Sequence, residues 1–204
     1  MPDPELILVR HGRSSYVHTG WIDVHGVRRW MAAYDAAEIS PDHAPPPELE
    51  SLVRDASLIV ASDLPRAIAS AVRLAPEREI VRTPLLREAP METDDRPLPG
   101  FGGLRLPLRA WGMLWGTQWI ASWIRNGPPP GVGPAELARA EQAADLLATH
   151  ARDAGGRVVA VTHATFRFVL ARALARRGWR GPDQRPYREW SAWRFVLGAN
   201  VNAP

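Results

Sequence analysis

The chain contains no cysteine and no lysine. The first absence removes disulfides, thiolate nucleophiles and thiolate metal sites, and it leaves the redox compartment open, because a chain without thiols suits either environment. The second absence means that all 25 basic residues are arginine. The formal charge of +3 and the pI near 10.1 are therefore fixed by guanidinium groups that do not titrate. An excess this small favours anionic small molecules and lacks the clustering of a nucleic-acid footprint. There is also no apolar run approaching the ~20 residues of a membrane-spanning helix. The start, Met1-Pro-Asp-Pro-Glu5, is acidic and has neither the basic region nor the apolar stretch of a signal peptide. The expectation is a cytoplasmic protein without stable membrane insertion.

What the chain does have is 46% apolar residues over 204 positions, enough for one sizeable core. Two motifs near its ends stand out: Leu6-Ile-Leu-Val-Arg10-His11-Gly12 and Val158-Val-Ala-Val-Thr162-His163-Ala164. Each is a β-rich apolar run that stops at a histidine. Strands are predicted over 5–10, 57–61, 79–82, 157–162 and 192–197, and helices over 47–54, 65–74, 134–154 and 165–177. Pro47 and Pro65 sit at helix starts, where a missing N–H costs least. The alternation predicts a three-layer α/β/α sandwich around a largely parallel sheet, in one domain spanning 1–204. Residues 89–133, dense in Pro, Gly and Trp, break the rhythm and are read as an inserted Trp-rich helical cap.

Ligands bind at the C-terminal ends of strands in parallel α/β sheets, and four predicted strand ends carry chemistry here. They offer Arg10-His11-Gly12, then Ser62-Asp63-Leu64-Pro65-Arg66-Ala67, then Leu86-Arg87-Glu88, then Thr162-His163-Ala164-Thr165. By these motifs, over 5–88 and 135–200, the chain resembles the histidine phosphatase superfamily, with its phosphoglycerate mutase-like fold. The resemblance implies that His11 is the phosphorylated nucleophile and that Arg10, Arg66 and His163 bind the phosphoryl group. It implies a general acid near the third strand, here Glu88, with Glu92, Asp94 and Asp95 close by as alternatives. Many relatives carry Thr and Asn where this chain has Ser14 and Val17; Ser14 keeps a hydroxyl for phosphate, and Val17 loses the amide.

Those residue types suit that chemistry on their own terms. A neutral imidazole attacks phosphorus without a separate base. A transferring phosphoryl group spreads charge over its equatorial oxygens, so fixed donors around it carry most of the catalysis. Arginine offers a planar fork that keeps its charge, and a carboxylic acid can protonate the leaving oxygen and then deprotonate water. The arginines also supply the positive charge a metal would bring, so the expectation is a metal-independent phosphomonoesterase without cofactor, acting on a small phosphorylated molecule. The alternatives are a mutase-like phosphotransferase, disfavoured by the lack of lysine to hold a bisphosphate, and an inert binding or scaffolding module.

The remaining candidates have plainer readings. His18, Asp23 and His25 have no second cluster at metal-ligand spacing and read as a polar loop. His43 and His150 read as surface residues, and Ser14 and Ser15 lack the Gly-x-Ser-x-Gly elbow of a serine nucleophile. The arginines between 172 and 188 partly fall at a helix end, where cations offset the dipole. Trp111, Trp115, Trp119 and Trp123 recur every four residues, a helical stripe read as packing against the sheet or as a homodimer surface. The competing readings are an aromatic lid that selects an apolar leaving group and an interfacial membrane helix.

Overall fold

The computed structural model describes residues 3–90, 103–124, 132–153 and 155–198. Its main sheet contains β1 (Glu5–Arg10), β3 (Leu58–Ser62), β4 (Ile80–Thr83), β6 (Arg157–Thr162), β7 (Trp179–Arg180) and β8 (Ala192–Leu197), in the order β4-β3-β6-β1-β8-β7. The β4-β3, β3-β6 and β6-β1 pairs are parallel, while β8 runs antiparallel to both β1 and β7. Four neighbouring strands therefore end on one rim. Each of the five predicted strands exists with its edges within one residue of the expected position.

Alternation along β1 generates the layers. Leu6 and Leu8 face a core shared with Val158, Ala160, Trp193 and the helices α5 (Pro134–Asp153) and α6 (Phe166–Ala175). Ile7 and Val9 face the opposite core, shared with Val159, Val161 and the helices α2 (Pro47–Arg54) and α3 (Pro65–Leu74). This period of two is what a strand covered on both faces requires. Both α2 and α3 begin with proline and have no side-chain cap, as the missing N–H at that position allows.

A helix that the sequence reading did not assign, α1, runs over Val24–Ala36. Val24, Gly26 and Val27 have poor helix propensity, which hid it. It forms because Asp23 caps it, Oδ1 accepting from the Gly26 N–H at 2.6 Å, and because Val27 is fully buried. Asp23 thus serves the helix start, and among the described residues no group of three His, Cys, Asp or Glu side chains converges on a common point.

The segment read as a cap contributes β5 (Leu106–Pro107) and α4 (Leu108–Ile124). β5 pairs antiparallel with β2 (Trp21–Ile22), so the inserted residues are joined to the chain just after the first histidine motif. A separate small core of Ile22, Val27 and Trp111 underlies this ribbon. Trp111 is buried and its indole N–H donates to the Ile22 carbonyl at 2.8 Å. The first member of the tryptophan stripe therefore packs on the ribbon and α1. The side chains of Trp115, Trp119 and Trp123 lie outside the described residues. Among the described residues no helix is long and apolar enough to cross a membrane.

Candidate active site

His11 and His163 follow β1 and β6 directly, and these strands pair in a register that sets Arg10 opposite Thr162. The backbone N–H of His11 donates to the Thr162 carbonyl at 3.0 Å, and the imidazole ring centroids stand 5.0 Å apart. Both rings are essentially fully buried.

The hydrogen bonds define which nitrogen does what. His11 Nδ1 lies 2.7 Å from the Gly12 carbonyl, an acceptor only, so Nδ1 carries the proton. Nε2 then holds a lone pair, consistent with the 3.3 Å bond it accepts from Arg66 Nε. At His163, Nε2 lies 2.9 Å from Ser62 Oγ, a hydroxyl that also accepts from the Leu64 N–H at 3.3 Å and can either donate to or accept from the ring. The other nitrogen, Nδ1, is buried without a partner.

Burial, then Arg66 and Arg10, hold the His11 pKa well below its ordinary 6.5, against a smaller opposing effect of the Gly12 carbonyl. Burial, His11 and Arg66 do the same to His163. Both imidazoles are therefore neutral at pH 7, and His11 presents a free electron pair.

Arg66 lies at the start of α3, with its guanidinium buried 4.4 Å over the Tyr34 ring. Its Nη1 donates to the Tyr34 carbonyl at 3.0 Å and pairs with Asp35 at 3.0 Å. Arg10 has a parallel setting. It lies 4.9 Å over the Tyr187 ring, donates to the Tyr187 carbonyl and pairs with Glu189 at 3.3 Å, while its Nε is buried without a partner.

Glu88 follows β4 and the 3₁₀ turn Pro84–Leu86. Its Oε1 accepts from three backbone N–H groups, those of Ala89 (3.0 Å), Thr165 (3.1 Å) and Phe166 (2.8 Å). The last two open α6, whose own N-cap residue Thr165 supplies no side-chain bond. Glu88 is thus the cap of α6 delivered from another strand. Burial pushes its carboxyl pKa up, and the amides and Arg66 pull it only partly back. Arg139 on α5 fixes this loop by donating to the carbonyls of Leu85 (2.9 Å), Arg87 (2.8 Å) and Glu88 (3.3 Å).

The structure thus brings His11, His163 and Arg66 into mutual proximity, with Arg10 beside them and Glu88 near enough for Arg66 to depress its pKa. Ser14 is buried, bridges to Ile39 and accepts from the Tyr16 N–H at 3.1 Å. Val17 is exposed. Glu92, Asp94 and Asp95, the alternative acids, lie outside the described residues.

Sequence reasoning missed the supporting residues. Ser70 Oγ accepts from the Gly12 N–H at 2.9 Å and donates to the Arg66 carbonyl at 2.6 Å, tying the turn after His11 to the helix that carries Arg66. Ser62, already inside a recognised motif, fixes His163. Arg167 is fully buried over Trp193 and donates to the carbonyls of Ser191 (2.9 Å) and Pro186 (3.3 Å). It anchors the 186–191 segment that holds Arg10, and burial with the nearby Arg10 charge pulls its pKa down to about 9. His43 departs from the surface reading: half-buried, it accepts from the Arg13 N–H at 3.1 Å, packs against Trp190, and its carbonyl receives the Trp190 indole N–H at 3.2 Å. Arg176 and Arg177 pair with Glu141 and Asp145, as a solvated helix end does.

No protein-family model and no curated protein sequence matches the chain. Solved structures do. A phosphoserine phosphatase from Entamoeba histolytica in complex with 3-phosphoglyceric acid matches at TM-score 0.54 and 16% identity, over 94% of this chain and 90% of that one. The ecdysone phosphate phosphatase from Bombix mori, in complex with tungstate, matches at TM-score 0.53 and 14% identity, over 98% and 95%. YhfR from Bacillus stearothermophilus matches at TM-score 0.51 and 17% identity, over 98% of each chain. The chain shares the fold of these structures.

Proposed function

We propose that the chain is a metal-independent phosphatase that hydrolyses a small phosphomonoester through a phosphohistidine on His11. The observation that carries this reading is the tautomer: His11 Nδ1 is committed to the Gly12 carbonyl and Nε2 keeps its lone pair beneath Arg66. Nothing else in the site is as well prepared to attack phosphorus.

In the first half-reaction Nε2 attacks phosphorus in line, the P–N bond forms, and the P–O bond to the leaving group breaks. Arg66 and Arg10 balance the charge on the equatorial oxygens. His163 Nδ1, buried without a partner, would in its N–H tautomer donate to one of them, which removes the cost of leaving that nitrogen unsatisfied. Glu88, whose carboxyl pKa burial pushes up, gives its proton to the departing oxygen. In the second half-reaction the Glu88 carboxylate takes a proton from water, the resulting oxygen attacks phosphorus, the P–N bond breaks, and inorganic phosphate leaves. Ser14, whose Oγ accepts from the Tyr16 N–H, would donate its own hydroxyl proton to the phosphate.

The resemblance in motif and the shared fold support the same reading. The test is covalent labelling. Brief incubation with a labelled phosphodonor should put acid-labile, alkali-stable phosphate on the wild-type protein, and His11→Ala should lose both the label and turnover while keeping its circular dichroism. Turnover retained in the alanine variant would refute the mechanism.

A further inference from the structure

The two arginines of the site share a detail that phosphate binding does not require. Each lies over a tyrosine ring that is itself backed by a second aromatic residue. Arg66 covers Tyr34, which stacks on Trp30 at 4.9 Å, and Arg10 covers Tyr187, which stacks on Phe168 at 6.3 Å. Each is also paired with a solvent-facing carboxylate just beyond that ring: Asp35, its side chain 51% exposed, for Arg66, and Glu189, 37% exposed, for Arg10. Beyond Arg66 and Arg10 themselves, the neighbouring cations are engaged by other partners, although Arg87, its pKa raised first by Asp63, also feels Asp35. Arg87 is held by Asp63 and Arg139 by Glu136, Arg167 is enclosed by carbonyls, and the chain has no lysine.

We infer that Asp35 and Glu189 are specificity determinants that select phosphomonoesters with an uncharged leaving group. This rests on the phosphatase reading above. A phosphate dianion brings about two negative charges, which the two arginines match. Once it is bound, the positive charge is shared, and Asp35 and Glu189 remain at the rim where the leaving group sits. A carboxylate or second phosphate there meets two like charges in a partly desolvated setting, where repulsion exceeds its value in water. An apolar or aromatic leaving group meets tyrosine instead.

The experiment compares phenyl phosphate with 4-carboxyphenyl phosphate, which differ by one negative charge remote from phosphorus. The carboxyl group makes the phenol no worse a leaving group, so chemistry alone predicts no disadvantage. Wild-type kcat/KM is expected to be about tenfold lower for the carboxylated ester at low ionic strength. Asp35→Asn and Glu189→Gln should each narrow that ratio, and added salt should narrow it in wild type. Because the ratio is taken on one preparation, a misfolded fraction cancels from it. Equal kcat/KM for the two esters, or a ratio unmoved by both substitutions, overturns the inference while leaving the phosphatase reading standing. Turnover of neither ester overturns both.

Discussion

Replacing Glu88 by glutamine separates the helix cap it supplies from the proton donation proposed for it. Oε1 is fully used, accepting from Ala89, Thr165 and Phe166, whereas Oε2 has only a 3.4 Å approach from the Thr165 N–H. A proton on this carboxyl therefore resides on Oε2. In the glutamine variant the amide oxygen takes over the Oε1 contacts, so α6 keeps its cap, and an NH₂ that cannot protonate an alkoxide replaces Oε2. Loss of a general acid costs about two to four decades, or ~2.7–5.5 kcal/mol of transition-state stabilisation. That loss should appear in kcat/KM for an alkyl phosphate. A nitrophenyl phosphate, whose leaving group departs without a proton, should lose less than about tenfold. Glu88→Ala should in addition remove the cap, lowering stability by about 0.5–2 kcal/mol and the melting temperature by a few degrees, whereas Glu88→Gln should melt near wild type. Steady-state kinetics on the two esters and thermal melts of the two variants suffice. Equal losses on both esters would show that Glu88 is not the acid and would return attention to the segment from Glu92 to Asp95.

Other outcomes follow from the same geometry. Because the folded pKa values of His11 and His163 lie below their ordinary 6.5, their contribution to stability is present above pH ~6.5 and is lost as pH falls toward the folded values, by up to ~1.4 kcal/mol per pH unit for each proton taken up. Urea titrations between pH 7 and 5 should show this slope, His163→Gln should reduce it, and a flat profile in wild type would contradict it. Activity needs neutral His11 and protonated Glu88, one pKa depressed and the other raised, so kcat/KM for an alkyl phosphate should be bell-shaped, and Glu88→Gln should flatten its alkaline limb. Turnover should survive exhaustive chelation with EDTA, since arginines supply the positive charge; a strict divalent-ion requirement would refute that assignment. Gly12→Ala places a Cβ 2.4 Å from the Trp190 ring, an overpacking that should cost about 1–3 kcal/mol in chemical denaturation, and wild-type stability would show that Trp190 gives way freely.

Strand interiors of the sheet were legible because β-branched runs such as Val158 to Val161 have no helical rival, and His11 and His163 each announce themselves by ending such a run. Arg66 was legible because Pro65 marks a helix start immediately after a strand. The supporting contacts were not, because they join residues far apart in sequence. Nothing near Glu88 shows that it caps α6, and nothing near Arg10 shows that Tyr187 and Glu189 will hold it. α1 was hidden by Gly26 and two valines whose weak propensity is overridden by burial of Val27. His43 looks like a loop histidine until Trp190, in a left-handed conformation at φ 59°, folds back upon it.

The pairing of Arg10 with Thr162 means that the two imidazoles hang one step past the same rung of a parallel ladder. Their 5.0 Å separation is close to the ~4.8 Å repeat between neighbouring strands. The gauge of the reaction centre is thus the period of the sheet itself, set by backbone hydrogen bonds that side-chain substitutions elsewhere do not stretch. Adding one residue inside β1 or β6 would carry its histidine ~3.3 Å along the strand and turn it into the opposite layer. The ribbon of β2 and β5, by contrast, can be lengthened, shortened or rewritten without altering that gauge. Under the proposed mechanism, new leaving groups could therefore be accommodated above a chemical step whose dimensions stay constant.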